Sequence, residues 1–196
     1  LQQTRVEQGW PYYERFLKQF PDVHVLAAAP ERSVLKCWEG LGYYSRCRNL
    51  IHTARHISKE RDGIFPNQYE EILQLKGVGP YTAAAIASFA FNLPHAVVDG
   101  NVYRVLSRYH GIHTPIDSSE GKKVFNEIAH LSLDPKTPGV YNQALMDFGA
   151  TVCKPQSPDC MNCPMRKTCV AYAQDSVQSL PVKSPAKPKK ERWFYY

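Results

Sequence analysis

The sequence predicts an all-α fold, and three observations support this prediction. Apolar residues recur at intervals of three and four over most segments, which is the period of a helix with one buried face. Only Val97 and Val98 form a β-like pair, and two residues are too few for a sheet. The connections are short and contain glycine, at 40–42, 62–63, 77–79 and 99–100.

The helices can be assigned in chain order. A first stripe contains Val6, Trp10, Tyr13, Leu17 and Phe20, and Pro11 within it predicts a kink or a new first turn. Two more stripes comprise Tyr44, Cys47, Ile51, Ala54 and Ile57, and then Tyr141, Ala144, Leu145, Phe148 and Val152. Short helices are predicted over 33–38, 68–75, 80–91, 102–110 and 119–131. A last helix is expected to begin at Pro164 and to run towards Ala173.

Composition limits the class of protein. The chain has 196 residues, of which 43% are hydrophobic and 21% charged, so disorder throughout is excluded. The longest apolar stretch, 83–91, is much shorter than the roughly 20 residues that span a bilayer, so no membrane partner is expected. The chain begins with Leu1 and shows no secretory leader, which predicts a cytoplasmic protein whose numbering begins inside a longer chain.

The net charge and the composition divide the chain into a body and a tail. Only +2 of the formal charge of +6 belongs to residues 1–175, so charge alone is weak evidence for a nucleic-acid partner. Residues 176–190 are rich in Ser, Pro, Val and Lys, which is typical of a linker. Residues 191–196 are aromatic again and are expected to start a further, truncated domain.

Four cysteines lie within seventeen residues near the end of the body. Cys153, Cys160, Cys163 and Cys169 follow the spacing C-x6-C-x2-C-x5-C, and four such thiolates are typical ligands of a soft metal centre. Structural zinc usually binds two short Cys-x-x-Cys knuckles, and disulfides are typical of secreted proteins. The spacing therefore favours a [4Fe–4S] cluster, with zinc and disulfides as alternatives. Cys37 and Cys47 lie on apolar stripes and are expected to be buried thiols.

Residues 75–83 predict a turn between two short helices. Gly77 and Gly79 flank Val78, and this spacing allows a tight turn whose backbone N–H groups point outward beside the next helix N-terminus. Such a turn can bind a phosphate without cationic side chains. An ordinary turn between helices is the alternative.

The hairpin, the segment 97–102 and the four-cysteine loop, in this order, resemble the helix-hairpin-helix DNA glycosylases that carry an iron–sulfur cluster. The resemblance is closest to the MutY-type adenine DNA glycosylases, with further similarity at 1–4, 40–44, 48–49 and 142–147. It implies a six-helix barrel-like part plus an iron–sulfur part over residues 1–175. It also implies that 191–196 begin an 8-oxoguanine-reading domain. Lys76 departs from the family, which usually has proline there.

The resemblance implies excision of adenine mispaired with 8-oxoguanine or guanine in double-stranded DNA, by a monomer. Asp99, just before a helix, would stabilise the positively charged sugar, although a helix N-cap is the simpler interpretation. Asn101 would contact the deoxyribose or orient Asp99. Tyr81 stands where endonuclease III-type enzymes have the lysine that forms a Schiff base, so the enzyme should be monofunctional. Tyr81 could also simply pack.

A flipped base leaves a hole in the duplex that protein side chains must fill. By resemblance, Leu1, Gln2, Gln3 and Tyr43 belong to the wedge, and Gln143 reads the adenine edge. A polar helix end and a core aromatic are the alternatives for Gln3 and Tyr43. The cluster is interpreted as folding a DNA-contacting loop, because hydrolysis needs no electron. Lys154, Arg166 and Lys167 on that loop are expected to meet phosphates, or to be merely solvated.

The family's general acid is a glutamate two positions before the residue that matches Leu1. We therefore expect residues 1–196 alone to bind DNA but to release adenine at least about a hundredfold more slowly than a chain extended upstream. Two other functions stay open. One is an endonuclease III-like glycosylase and lyase for oxidised pyrimidines, and the other is a DNA-binding module without catalysis.

Overall fold

The computed structural model describes Thr4 and residues 6–185, and these residues contain helices and no strand. The all-α prediction is therefore confirmed. The helices are α1 Val6–Gln19, α2 Val23–Ala28, α3 Glu31–Trp38, α4 Tyr44–Glu60, α5 Tyr69–Leu73, α6 Pro80–Phe91, α7 Gly100–His110, α8 Ser119–Ser132, α9 Pro138–Thr151 and α10 Val170–Ala173. In this part of the chain, no helix has the length and apolarity needed to cross a membrane.

The chain divides into two compact units, Leu1–Ala83 and Ala84–Tyr196. In the first unit, α2 and α3 pack on α4, and α1 packs on α3. Val34, Cys47 and Ile51 are almost fully buried in this core. Cys37 is buried there as well, so the prediction of two core thiols is confirmed. Burial raises the pKa of the Cys47 thiol to about 11.

The second unit is built around α7, which packs against α8, α9 and α10. Its core includes Val102 and Leu106 from α7 and Phe125 and Ala129 from α8. Asp99 caps the N-terminus of α7, and Gly111 in the left-handed conformation ends it. The position of α7 therefore decides where Asp99 lies.

The predicted apolar face of α1 is wrong. Val6 and Trp10 are 78% and 56% exposed, and the face that packs includes Gly9, Tyr12 and Phe16. Aromatic residues occur on both sides of this helix, so spacing alone selected the wrong stripe. The helix continues through Pro11 without ending there.

Two further elements differ from the prediction. Helix α2 was not predicted, although Asp22 caps it with hydrogen bonds from the N–H groups of His24 and Val25. The prediction of a single last helix from Pro164 towards Ala173 is also wrong. A 3₁₀ turn, Arg166–Thr168, is separated from α10 by Cys169, whose backbone is extended.

The described part of the predicted linker packs against the second unit. Leu180 is 2% exposed. The Ile116 N–H donates to the Val182 carbonyl at 3.0 Å, and Ser184 donates to Asp117 from both its N–H and its hydroxyl at 2.8 Å. These bonds lower the pKa of Asp117. Residues 186–190, and the predicted further domain at 191–196, lie outside the described residues.

Candidate functional site

The glycine turn of the first unit connects α5 with α6. The Val78 N–H donates to the Leu75 carbonyl at 3.1 Å, which closes the turn. Gly77 has φ +80°, and a Cβ there would collide with the Asn49 side chain. At Gly79 a Cβ would meet no atom within 4 Å. The protein itself therefore requires glycine at 77, whereas the empty space beside Gly79 leaves room for an external group.

Tyr81 lies in the first turn of α6 and is 45% exposed. Gly77 and Gly79 are exposed and Val78 is half-buried, so the turn lies at the surface beside the N-terminus of a twelve-residue helix. Surface backbone N–H groups in this setting favour anions.

Tyr43 directly precedes α4 and has the left-handed conformation, with φ 47°. Gly40 and Gly42 are left-handed as well, which forces the chain through a tight bend. The Tyr43 ring is 64% exposed, so it is not the core aromatic of the simpler interpretation. Residues 1–3, which include the predicted wedge residues Leu1, Gln2 and Gln3, lie outside the described residues.

In the second unit, Asp99 accepts three hydrogen bonds. Its Oδ1 accepts from the N–H groups of Asn101 and Val102 at 2.8 Å, which is the geometry of an N-cap. Its Oδ2 accepts from Asn101 Nδ2 at 2.9 Å. The carboxylate is thus held by backbone on one oxygen and by a side chain on the other.

A chain of hydrogen bonds leads from Asp99 to the cysteine loop. Arg104 Nη2 donates to Asn101 Oδ1 at 2.8 Å and to the Gly149 carbonyl at 2.7 Å. Arg104 Nε donates to the Cys153 carbonyl at 2.7 Å. A Cβ on Gly149 would lie 2.7 Å from Asn101 Cβ, so glycine lets α9 approach α7 here. Asn101 is therefore oriented by contacts on both sides.

Arg108, one turn after Arg104, holds the cysteine loop and the tail together. It donates to the Lys154 carbonyl at 2.8 Å, the Pro155 carbonyl at 3.2 Å and the Leu180 carbonyl at 3.1 Å. Its Nη1 lies 3.5 Å from Cys153 Sγ. Sequence reasoning missed both buried arginines. Their one signal is a pair of arginines at i and i+4 in a helix whose apolar residues, Val102, Val105 and Leu106, surround them in the sequence.

The four cysteines line one cavity, together with Arg108 and apolar side chains. Burial and the negative charges of the other three thiolates raise the pKa of Cys160. Among the described residues, no group of three or more His, Cys, Asp or Glu side chains is arranged to hold a single metal ion.

Other predicted site residues lie on α9 and the loop after it. Gln143 is exposed and donates from Nε2 to Asp147 Oδ1 at 2.9 Å. Beside it, Asn142 is buried and bonds the backbone of His95 and Val97, which positions the segment before Asp99. The side chain of Lys154 is exposed.

Comparisons with known proteins identify relatives of this chain. The chain is 40% identical over 201 residues to an adenine DNA glycosylase of Buchnera aphidicola subsp. Baizongia pistaciae; the match covers 99% of the chain and 56% of that relative. The chain thus spans little more than half the length of this relative.

Two solved structures are similar. One is a thermostable thymine-DNA glycosylase, with a TM-score of 0.81 and 30% identity over 89% of this chain and 80% of that one. The other is endonuclease III in a non-covalent complex with DNA, with a TM-score of 0.69 and 25% identity over 84% of this chain and 76% of that one. A profile of the HhH-GPD superfamily matches residues 1–130. The chain therefore belongs to the HhH-GPD superfamily of base excision DNA repair proteins.

Proposed function

We propose that the protein is a monofunctional DNA glycosylase that removes adenine from duplex DNA where it is mispaired with 8-oxoguanine or guanine. The name of the Buchnera relative, together with its 40% identity to nearly the whole chain, supports the substrate. The observation that carries the proposal is the geometry of Asp99, whose two carboxylate oxygens are held by three hydrogen bonds.

Asp99 would act on the sugar from which adenine departs. Breaking the glycosidic bond leaves positive charge on the sugar, and a fixed carboxylate stabilises that charge without reorganising. The α7 N–H groups and Asn101 already hold both oxygens, so the carboxylate is positioned before substrate arrives. Adenine takes up a proton as the bond breaks, and water then adds to the sugar carbon and loses a proton to solvent.

The glycine turn would bind a backbone phosphate of the DNA. Its support is the surface position of Gly77 to Gly79 and the open space beside Gly79, where a phosphate oxygen could approach the backbone. Phosphate contacts position the duplex without reading sequence. This contact would explain how a body with a charge of only about +2 binds DNA.

Tyr81 supports a glycosylase that does not cut the strand. A phenol cannot form the imine through which a lysine nucleophile would cleave the sugar. We expect no covalent protein–DNA adduct when the reaction is treated with borohydride. Trapping in high yield would favour the endonuclease III-like function instead.

We propose that Cys153, Cys160, Cys163 and Cys169 hold a [4Fe–4S] cluster. They fit the group because all four cysteines, whose thiolates are the usual ligands of such a cluster, line one cavity. When bound, the cluster would fix the fold of residues 153–169, and Lys154 on that loop would then face DNA. Purified protein should be brown, with absorption near ~400 nm and roughly four irons per chain. Cys163→Ser should lose iron whereas Cys37→Ser, in the other core, should keep it. A colourless folded protein with one zinc would overturn the cluster.

Single-turnover base release tests the substrate. The intact protein is mixed with four duplexes, which carry adenine opposite 8-oxoguanine, adenine opposite guanine, thymine opposite guanine, or an oxidised pyrimidine. We expect release of adenine from the first two only. Release of thymine or of the oxidised pyrimidine as the fastest reaction would contradict the proposed substrate. Tight binding without any release would favour a non-catalytic DNA-binding module.

A further inference from the structure

Arg46, in the first turn of α4, is held by aromatic and hydroxyl neighbours. Its guanidinium carbon lies 5.0 Å from the centre of the Tyr43 ring and 5.8 Å from that of Trp38. Its Nη1 donates to Thr4 Oγ1 at 3.3 Å. These contacts place the guanidinium against the exposed Tyr43 ring and beside Thr4, the residue that follows the predicted wedge segment in the sequence.

The other edge of this guanidinium has no partner. Nε and Nη2 of Arg46 are shielded from solvent and make no hydrogen bond, and no other buried side-chain nitrogen or oxygen in the described residues is in this state. Buried donors are almost always paired, because an unpaired donor has lost its water without compensation. The N–H groups on Nε and Nη2 point the same way and form the fork that binds two oxygens side by side.

The charges around Arg46 indicate which kind of ligand its Nε/Nη2 edge would bind. No carboxylate of the described residues forms an ion pair with Arg46, whereas Arg48 pairs with Glu31 and Arg61 with Glu71. A shielded cation without a counter-ion favours an anionic acceptor over a neutral one. Tyr43, whose ring lies against this guanidinium, is 64% exposed and is not one of the buried core residues.

We propose that the Nε/Nη2 edge of Arg46 is a subsite for one backbone phosphate of duplex DNA, uncovered when Tyr43 enters the duplex. The proposal rests on the proposed function for its ligand. It makes Arg46 a DNA-binding residue outside the glycine turn, and it couples phosphate binding to movement of Tyr43. Because phosphates carry no sequence information, the contact would form on damaged and undamaged duplexes alike.

Binding measurements with Arg46→Lys test the subsite, because lysine keeps the charge and loses the fork. Arg61→Lys is the matched control, since Arg61 ends the same helix and already bonds Glu71 at 2.9 Å. We expect Arg46→Lys to weaken binding roughly tenfold or more on both damaged and undamaged duplexes, and Arg61→Lys to change it less than about threefold. Single methylphosphonates along the duplex should reveal one position that weakens the unsubstituted protein but not Arg46→Lys.

A second measurement does not depend on the variant folding. In protein labelled with ¹⁵N at arginine, the Nε–H signal of Arg46 should shift downfield and exchange more slowly when DNA is added. An unchanged signal, equal affinities for Arg46→Lys and Arg61→Lys, or a loss confined to one base pair would overturn the subsite. Base release together with a DNA affinity that does not depend on Arg46 would refute the subsite alone. DNA binding that depends on Arg46, without base release by a chain extended upstream of Leu1, would refute the proposed function alone.

Discussion

Arginine is used in opposite ways in the two units. On α7 of the second unit, every guanidinium nitrogen of Arg104 and Arg108 donates to an acceptor of the protein itself. At the start of α4 in the first unit, Arg46 has two shielded nitrogens without an acceptor in the described part of the chain. The first arrangement is complete within the protein, whereas the second leaves two donors for the proposed phosphate.

This difference separates the proposed reacting centre at Asp99, which is preformed, from the proposed DNA contact at Tyr43 and Arg46. Asp99 and Asn101 are fixed by internal bonds, which suits a carboxylate that must stabilise charge without moving. Tyr43, by contrast, is exposed and left-handed, and it covers a cation without a counter-ion. Internal hydrogen bonds therefore hold Asp99 in place, whereas the unpaired nitrogens of Arg46 lie beside Tyr43, where the duplex is proposed to bind.

The largest effect, on adenine release, is expected from removing the charge of Asp99. Asp99→Asn in the intact protein should slow adenine release by at least on the order of a thousandfold, because the amide carries no charge to stabilise the sugar. DNA affinity should stay within a few-fold. Asp22→Asn is the matched control, because Asp22 caps α2 with the same pair of backbone bonds. Single-turnover release measures both, and near-normal turnover of Asp99→Asn would remove this residue from the mechanism.

Arg108→Lys should lower the stability of the second unit, where Arg108 joins the cysteine loop to the tail. Lysine cannot reach the carbonyls of Lys154, Pro155 and Leu180 together, so buried acceptors lose their donor. We expect the free energy of unfolding to fall by about 2–4 kcal/mol, against less than about 0.5 kcal/mol for Arg61→Lys, because lysine can keep the ion pair of the half-buried Arg61 with Glu71. Urea denaturation measures this. Equal midpoints for the two variants would show that Arg108 does not hold the loop.

The two glycines of the turn in the first unit are expected to differ in role, Gly77 in stability and Gly79 in DNA binding. Gly77→Ala should lower stability by about 1–2 kcal/mol, because φ is +80° and the new Cβ collides with Asn49. Gly79→Ala should change stability by less than about 0.5 kcal/mol and weaken DNA binding roughly tenfold, because its Cβ enters only the space left for the ligand. Thermal unfolding and binding titrations separate these effects. An unchanged affinity for Gly79→Ala would contradict a phosphate at the turn.

The smallest effect is expected at the docked tail. The bonds from Ser184 lower the pKa of Asp117, so they stabilise the docked tail above the unfolded pKa of about 4 and are lost as pH falls through the lower folded value. Asp117→Asn should speed hydrogen exchange of the Ser184 amide at neutral pH, and this difference should shrink as the pH falls through the lowered pKa of Asp117. Asp134→Asn, whose carboxylate bonds Lys136 and Thr137, is the control. Equal exchange of the Ser184 amide in both variants at neutral pH would contradict a role of Asp117 in holding the tail.

Features that depend on neighbours in the chain could be predicted from the sequence. The bounds of α6 match the prediction, and α3, α4, α7 and α8 lie close to it, because helical period and capping are local properties. The order of glycine turn, Asp99 and four cysteines also indicated the superfamily that the comparisons support. In α1 local spacing failed, because either of two aromatic stripes satisfies the helical period.

The sequence by itself determined the helices, the glycine turn and the spacing of the cysteines, because each arises within a few residues along the chain. Only the tertiary structure decided which polar groups meet. Arg104 finds Gly149 and Cys153 at separations of 45 and 49 residues, and Arg108 finds Leu180 at 72. The unfilled edge of Arg46 is equally invisible in the sequence. Whether a polar group has a hydrogen-bond partner depends on which residues packing brings within bonding distance. Those residues are far apart in the sequence, so no local pattern predicts them.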